Sequence, residues 1–202
     1  MPATLLQSSA VCGKPVAGKA PQVGPTRQRV VVAVTPLGPS LAPVLGYHSS
    51  IIIGRTEYSF SRHGIVTAAD RSSHRCLEGE TRLIDCGRHV VDVAAFRDAV
   101  HPLFAPGSYD LLRKNCNAFV DCALSFLIGE RLDAQYTKAE SIGRLLEEHL
   151  SLVQVLSGGR YAPNPKADDF DVDEAVDDLR LLRLRGCAME SAKVGSMIEV
   201  SI

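Results

Sequence analysis

Six cysteines and six histidines are the side chains of this 202-residue chain best suited to nucleophilic attack and proton transfer near neutral pH. One cysteine stands apart. Cys116 lies in Asn115-Cys-Asn-Ala-Phe119, at the head of a run from Ala118 to Ile128 that is almost continuously apolar. Asn117, Asp121 and Ser125 recur every fourth residue, so on a helix they form one thin polar stripe along an otherwise buried rod. Gly129 supplies a stop, because helices commonly end just before a glycine able to take positive φ. Asn115 can cap the other end by accepting from the free amides of the first turn. Cys116 then sits in that first turn, where the positive end of the helix favours a thiolate over a thiol. It is a candidate nucleophile.

A free thiol titrates near 8.5, so a reactive one needs an imidazole or a helix terminus beside it. Of the six histidines, His63, His74 and His89 fall in apparent loops or turns, His101 precedes a proline, and His149 lies on a later helix. His48 is carried by a strongly patterned strand, which would hold its ring in place. A cysteine at a helix start with some histidine upstream is a common coincidence, so the residues alone leave the pairing open. Cys122 is an internal control: mid-helix and away from the terminus, it should be an inert packing residue.

The positioning elements can be read in order. Residues 1–29 contain Pro, Ala, Gly, Ser, Gln and four basic residues but no acid, and read as a disordered N-terminal extension. A transit peptide is the less favoured reading, since four prolines interrupt any amphipathic helix. Val30 to Val34 reads as an interior strand and Tyr47 to Ile53 as a second. Gly54-Arg55 fits a II′ turn into a third strand, Glu57 to Ser61. Alternation places His48, Ser50 and Ile52 on one face of the second strand and Tyr47, Ser49, Ile51 and Ile53 on the other. Residues 62–80 look like a long exposed connection. Arg82 to Cys86 is a plausible fourth strand, and Asp92 caps a helix from about Val93 to Phe104.

After Gly129, Ser141 caps an amphipathic helix with Ile142, Leu145, Leu146, His149, Leu150, Val153 and Leu156 on one face. Residues 159–202 read as a largely disordered tail. Asp168 to Asp178 is an acidic run with a short helical pattern at Val172, Ala175, Val176 and Leu179, and Ile198 to Ile202 alternates like a strand. The expected domain, 30–158, is therefore α+β: a small antiparallel sheet packed on a central buried helix.

With 46 % hydrophobic residues and a formal net charge of −1, the chain can bury a substantial core and offers no polyanion-binding surface. No nucleic-acid partner is expected. No apolar run approaches the roughly 20 residues that span a bilayer. The scattered cysteines lack zinc or redox spacing, and Cys86 with His89 lacks two further ligands, so neither metal nor other cofactor is expected. A reduced intracellular setting, cytoplasmic or nuclear, is the expectation. Oligomeric state is not legible.

Gly46-Tyr-His-Ser-Ser-Ile51, Glu57-Tyr-Ser-Phe60 with Gly64-Ile65, and Tyr109-Asp-Leu followed by Asn115-Cys-Asn-Ala-Phe119 resemble the PPPDE peptidases. That family includes desumoylating isopeptidases and related deubiquitinating enzymes. The resemblance spans about residues 30–145 and implies a circularly permuted papain-like fold in which histidine precedes cysteine. By position, Cys116 resembles the nucleophile and His48 the general base that later protonates the leaving amine. Asn115 and Asn117 also match, as cap and as orienting or structural residue. The implied reaction is removal of a ubiquitin-like protein, SUMO or ubiquitin, from its conjugates through an acyl-enzyme. The chain departs from the pattern at Thr35-Pro36, where relatives carry an aromatic and an aspartate. It departs again at Ser61, where glycine is usual, and at Leu132-Asp133, which replaces Ile-Pro.

Two other classes compete. Lipid acyltransferases and phospholipases with an Asn-Cys-Glu-His-Phe motif share part of the cysteine segment, but Asn117-Ala118 replaces their Glu-His pair. A protein S-deacylase would use the same acyl-enzyme. The other class is a non-catalytic module that only holds a ubiquitin-like tail.

Overall fold

The computed structural model describes residues 24–37, 46–138, 141 and 161–199. Five antiparallel strands form one sheet: β1 (Thr26–Leu37), β2 (Gly46–Ile53), β3 (Thr56–Ser61), β4 (Gly64–Ala69) and β5 (Arg82–Val91), in the order β4-β3-β2-β1-β5. Three helices of eight or more described residues accompany it: α1 (Val93–Val100), α2 (Cys116–Ile128) and α3 (Val172–Glu199). The fold is α+β, with the buried helix α2 packed on a small antiparallel sheet.

The unbroken apolar run of β1 has its physical reason in the sheet order: β1 pairs with both β2 and β5, and Val30 to Val34 are all buried. Val30, Val32 and Val34 join Ile51 and Ile53 of β2, Phe60 of β3 and Phe119, Val120 and Leu124 of α2 in one core. Gly54 takes φ 64 in the β2–β3 turn, as the first position of a II′ turn requires. At the end of α2, Gly129 takes φ 78 and returns its amide to the carbonyls of Leu124 and Ser125.

Four expectations are corrected. The strand β1 starts at Thr26, which pairs with Val91, so the last residues of the expected N-terminal extension belong to the sheet. The expected loop 62–80 contains β4, an edge strand in which only Gly64 is buried, so no alternation of buried and exposed positions marks it. It also contains a short 3-10 turn at Ser72–His74 that buries His74. The helix α1 ends at Val100 rather than Phe104, since Pro102 lacks an amide to continue it. Phe104 is buried all the same.

The fourth correction is the largest. Residues 161–199, read as a solvated tail, carry α3, and Ala175, Val176 and Leu179 on its first turns join the core beside α2. Arg131 fixes the contact electrostatically, with Nη2 2.7 Å from Asp121 of α2 and 2.8 Å from Asp173 of α3. The acidic run thus supplies both a helix start and an ion-pair partner, and the alternating end of the chain is helical as far as Glu199. Residues 1–23, and the expected amphipathic helix 142–156 with His149, lie outside the described residues.

Candidate active site

The helix α2 begins as its sequence requires. Asn115 Oδ1 accepts from the amides of Asn117 and Ala118, and Asn115 Nδ2 donates to the carbonyl of Leu111. That places Cys116, 5 % exposed, at the first helical position. Asn117 faces the sheet. Its Oδ1 accepts from Ser49 Oγ at 2.6 Å, and its Nδ2 donates to the carbonyls of Tyr47 and Tyr136, each at 3.1 Å. The Tyr47 carbonyl lies outside the β2–β3 pairing, which covers only Ile51–Ile53 of β2. Beyond Ser50 that edge of β2 is open to the start of α2, and the Cys116 thiol lies 4.0 Å from the Tyr47 carbonyl.

His48, between Tyr47 and Ser49, and Cys116 line one cavity of about 420 Å³. The surrounding wall is mostly apolar, with Leu37, Leu77, Tyr109, Leu111 and Leu112. A larger groove of about 730 Å³ lies elsewhere, between β5, α1 and α3, and contains neither residue. The structure therefore brings all four residues singled out in the sequence to one place: Cys116, His48 and the capping Asn115 line the cavity, and Asn117 fastens the helix start beside it.

Sequence reading missed a set of polar residues behind His48, on the sheet face turned away from α2. His48 Nε2 lies 2.9 Å from Ser73 Oγ, which donates to Glu57 Oε1 at 2.6 Å. Glu57 also accepts from Ser50 Oγ at 2.7 Å and from the Ser73 amide at 3.1 Å. Ser50 in turn meets His74 Nε2 at 2.9 Å, and Thr35 Oγ1 meets His74 Nδ1 at 2.7 Å. The rings of His48 and His74 are 4.6 Å apart, tilted by 48°. Thr35, one of the departures from the family pattern, thus has a buried partner of its own.

Burial pushes the His48 imidazole below its ordinary range, and the nearby Glu57 charge opposes the shift. Burial drives His74 further, to about 4, and the positive charge on His48 and Arg71 works in the same direction. Cys122, deep in α2, is pushed up to about 12, chiefly by burial and then by the neighbouring Asp121. It is a thiol throughout the physiological range. Cys86 and His89 form no ligand pair: His89 Nε2 bonds the Cys86 carbonyl at 2.7 Å. Among the described residues no cluster of three metal-ligating side chains occurs, and no helix is long and apolar enough to cross a membrane.

The Ser73 and His74 signal was hidden because both lie in a polar stretch with no periodicity. Alternation did place His48 and Ser50 on one face, and Thr35 and Glu57 follow from the register, in which Thr35 pairs with His48 and Glu57 with Ile52.

Residues 22–154 match the family model described as "PPPDE putative peptidase domain". The desumoylating isopeptidase 1 of Xenopus laevis is 28 % identical over 129 residues, covering 56 % of this chain and 72 % of the relative. The matched segment holds the whole sheet, α1, α2 and the cavity. The chain belongs to the PPPDE peptidase family.

Proposed function

We propose that this protein is a cysteine isopeptidase that removes a ubiquitin-like modifier, SUMO or ubiquitin, from conjugated proteins. The observation that carries the reading is the convergence of Cys116, at the N-terminus of α2, and His48, on β2, at one cavity within the peptidase domain. His48 takes the thiol proton, and Cys116 Sγ attacks the carbonyl carbon of the scissile bond. The protonated imidazole then donates to the departing amine, leaving an acyl-enzyme. Water, activated by the same imidazole, releases the acyl group.

Negative charge on the attacking sulfur and on the carbonyl oxygen develops beside the free amides of a helix start, where it is favoured. The amide of Cys116 is the proposed oxyanion donor. Asn115 and Asn117 support the site by holding that helix start against β2. The desumoylating isopeptidase among its relatives favours a ubiquitin-like substrate. The free cysteines among the described residues suit a reduced intracellular compartment, cytoplasm or nucleus.

The apolar wall of the cavity gives a second reading some support, since Leu37, Leu77 and Leu111 could receive an acyl chain. A side-by-side assay of ubiquitin, SUMO and S-acyl thioester substrates separates the two. Turnover of a ubiquitin-like substrate that is lost in Cys116→Ala supports the isopeptidase. Turnover of the thioester alone transfers the same dyad to a protein S-deacylase.

A further inference from the structure

The polar residues behind His48 form a chain in which each proton has one place to go. Glu57 is only 1 % exposed. Its Oε1 accepts from both Ser50 Oγ and Ser73 Oγ, while Oε2 accepts from the Ser73 amide. A carboxylate accepts and does not donate, so both hydroxyl protons are committed to it. Ser73 Oγ is left only as an acceptor, and the group 2.9 Å from it is His48 Nε2. Nε2 must therefore carry the ring proton, and Nδ1 carries none.

The same logic runs through Ser50. Its proton is on the Glu57 side, so His74 Nε2 donates to it and His74 Nδ1 accepts from Thr35 Oγ1. Thr35 Oγ1 then accepts from Thr81 Oγ1 at 2.8 Å. Both imidazoles are held as the same tautomer by one buried carboxylate.

We propose that Ser73 and Glu57 are positioning residues for His48, a relay through one hydroxyl that holds the imidazole as its Nε2–H tautomer, keeps Nδ1 bare to accept the Cys116 proton, and stabilises the imidazolium that results. The proposal rests on the assignment of Cys116 and His48 as the reacting pair. No bond other than the Cys116 S–H is broken in this step. The proton moves to His48 Nδ1, and the Glu57 charge faces the new cation across Ser73.

His74 fits the same design. It stacks against His48 and reaches the same carboxylate through Ser50. A cationic His74 would repel the His48 imidazolium and compete for Glu57. Burial keeps it neutral down to about pH 4, which leaves the Glu57 charge to His48. The charged and titratable groups around His48 are Glu57 from β3, His74 from the segment after β4, and Cys116 of α2 in the same cavity, while Arg71 acts on His74.

Ring nitrogen shifts of His48 in the full-length protein test the relay directly, because long-range nitrogen–proton correlation spectra distinguish the two tautomers. A His48→Gln spectrum assigns the ring. Wild type should show Nε2–H. In Ser73→Ala the ring should become a mixture of tautomers and titrate at lower pH, with Ser73→Thr restoring the wild-type pattern. On a ubiquitin-like substrate, kcat for Ser73→Ala should fall roughly tenfold, less than the roughly 10²–10⁴-fold that a proton-transfer group itself contributes because Ser73 acts through His48, with KM little changed. Glu57→Gln should behave alike. If that buried change prevents folding, half-buried Ser73 still carries the test. An Nδ1–H ring in wild type, or an unaltered ring in Ser73→Ala, overturns the relay. Absence of isopeptidase turnover would overturn the reaction while leaving the spectra to decide the relay.

Discussion

Asn117 Nδ2 donates to the carbonyl of Tyr47 over 3.1 Å, so the second residue of α2 is fastened to the strand position immediately before His48. The same side chain accepts from Ser49, on the other side of that histidine. One buried amide therefore sets the distance between the thiol-bearing helix and the imidazole-bearing strand. Asn117→Ala should cost about 2–4 kcal/mol, since it strands the Ser49 hydroxyl and the Tyr47 and Tyr136 carbonyls in the interior, each such loss being worth about 1–3 kcal/mol before relaxation. Urea unfolding midpoints measure it. A change below about 0.5 kcal/mol, the size of an ordinary surface substitution, would show that the fastening is not structural.

The Asp121–Arg131–Asp173 bridge makes a second prediction. Asp121 is buried, accepts three bonds from Nε and Nη2 of Arg131 and also receives the Leu132 amide. Removing Arg131 leaves a carboxylate with only one neutral donor. Arg131→Ala should destabilise by roughly 2 kcal/mol, less than the 3–5 kcal/mol of a fully buried pair because the guanidinium is itself part-exposed. Asp173→Asn, which loosens the exposed arm alone, should cost no more than about 1 kcal/mol. Equal effects of the two changes would contradict the geometry.

Leu179 tests whether α3 is part of the fold. It is 1 % exposed and packs in the core beside α2. Leu179→Ala should cost about 2–5 kcal/mol, the range for a core leucine truncated to alanine. Leu184→Ala, at a 59 % exposed position on the same helix, should be close to neutral. Similar unfolding midpoints for both variants would return this segment to a solvated tail.

Stability should depend on pH through His74. Burial lowers its pKa from the ordinary 6.5 to about 4 in the folded chain. Between those values the unfolded chain takes up a proton that the folded chain refuses, so acid favours unfolding. The contribution of the buried neutral ring is complete above about pH 6.5 and is lost progressively as pH falls toward 4. His48, shifted in the same direction by burial, adds to the slope. Unfolding midpoints taken above and below this window should fall further for wild type than for His74→Gln. Parallel curves would place the acid sensitivity elsewhere.

Much of this site was legible because its elements obey short-range rules. Asn115, Cys116 and Gly129 mark a helix start, a thiol in its first turn and a helix stop, all within one apolar run. His48 and Ser50 share a face because strands alternate. Ser73 and His74 were hidden, since their burial comes from a turn folding over the sheet, and no local pattern encodes such a contact. Thr35 carried a sequence signal only as a departure from the family pattern, and its partner lies 39 residues away. The helix α3 was obscured for a related reason. Among the residues whose burial is described, its buried face lies in the first turns, at Ala175, Val176 and Leu179, and the charges that suggest solvent include Asp173, which reaches back to Arg131.

Cys122 gives the reaction its internal control. It shares α2 with Cys116, yet burial keeps it a thiol up to about pH 12. The most direct measurement is labelling by ubiquitin and SUMO probes that carry a C-terminal electrophile, with the modified residue mapped by mass spectrometry. The proposed reaction predicts a single adduct at Cys116 for at least one probe, lost in Cys116→Ala and strongly slowed in His48→Ala. Labelling that persists in Cys116→Ala, moves to Cys122, or proceeds unchanged without His48 would contradict it.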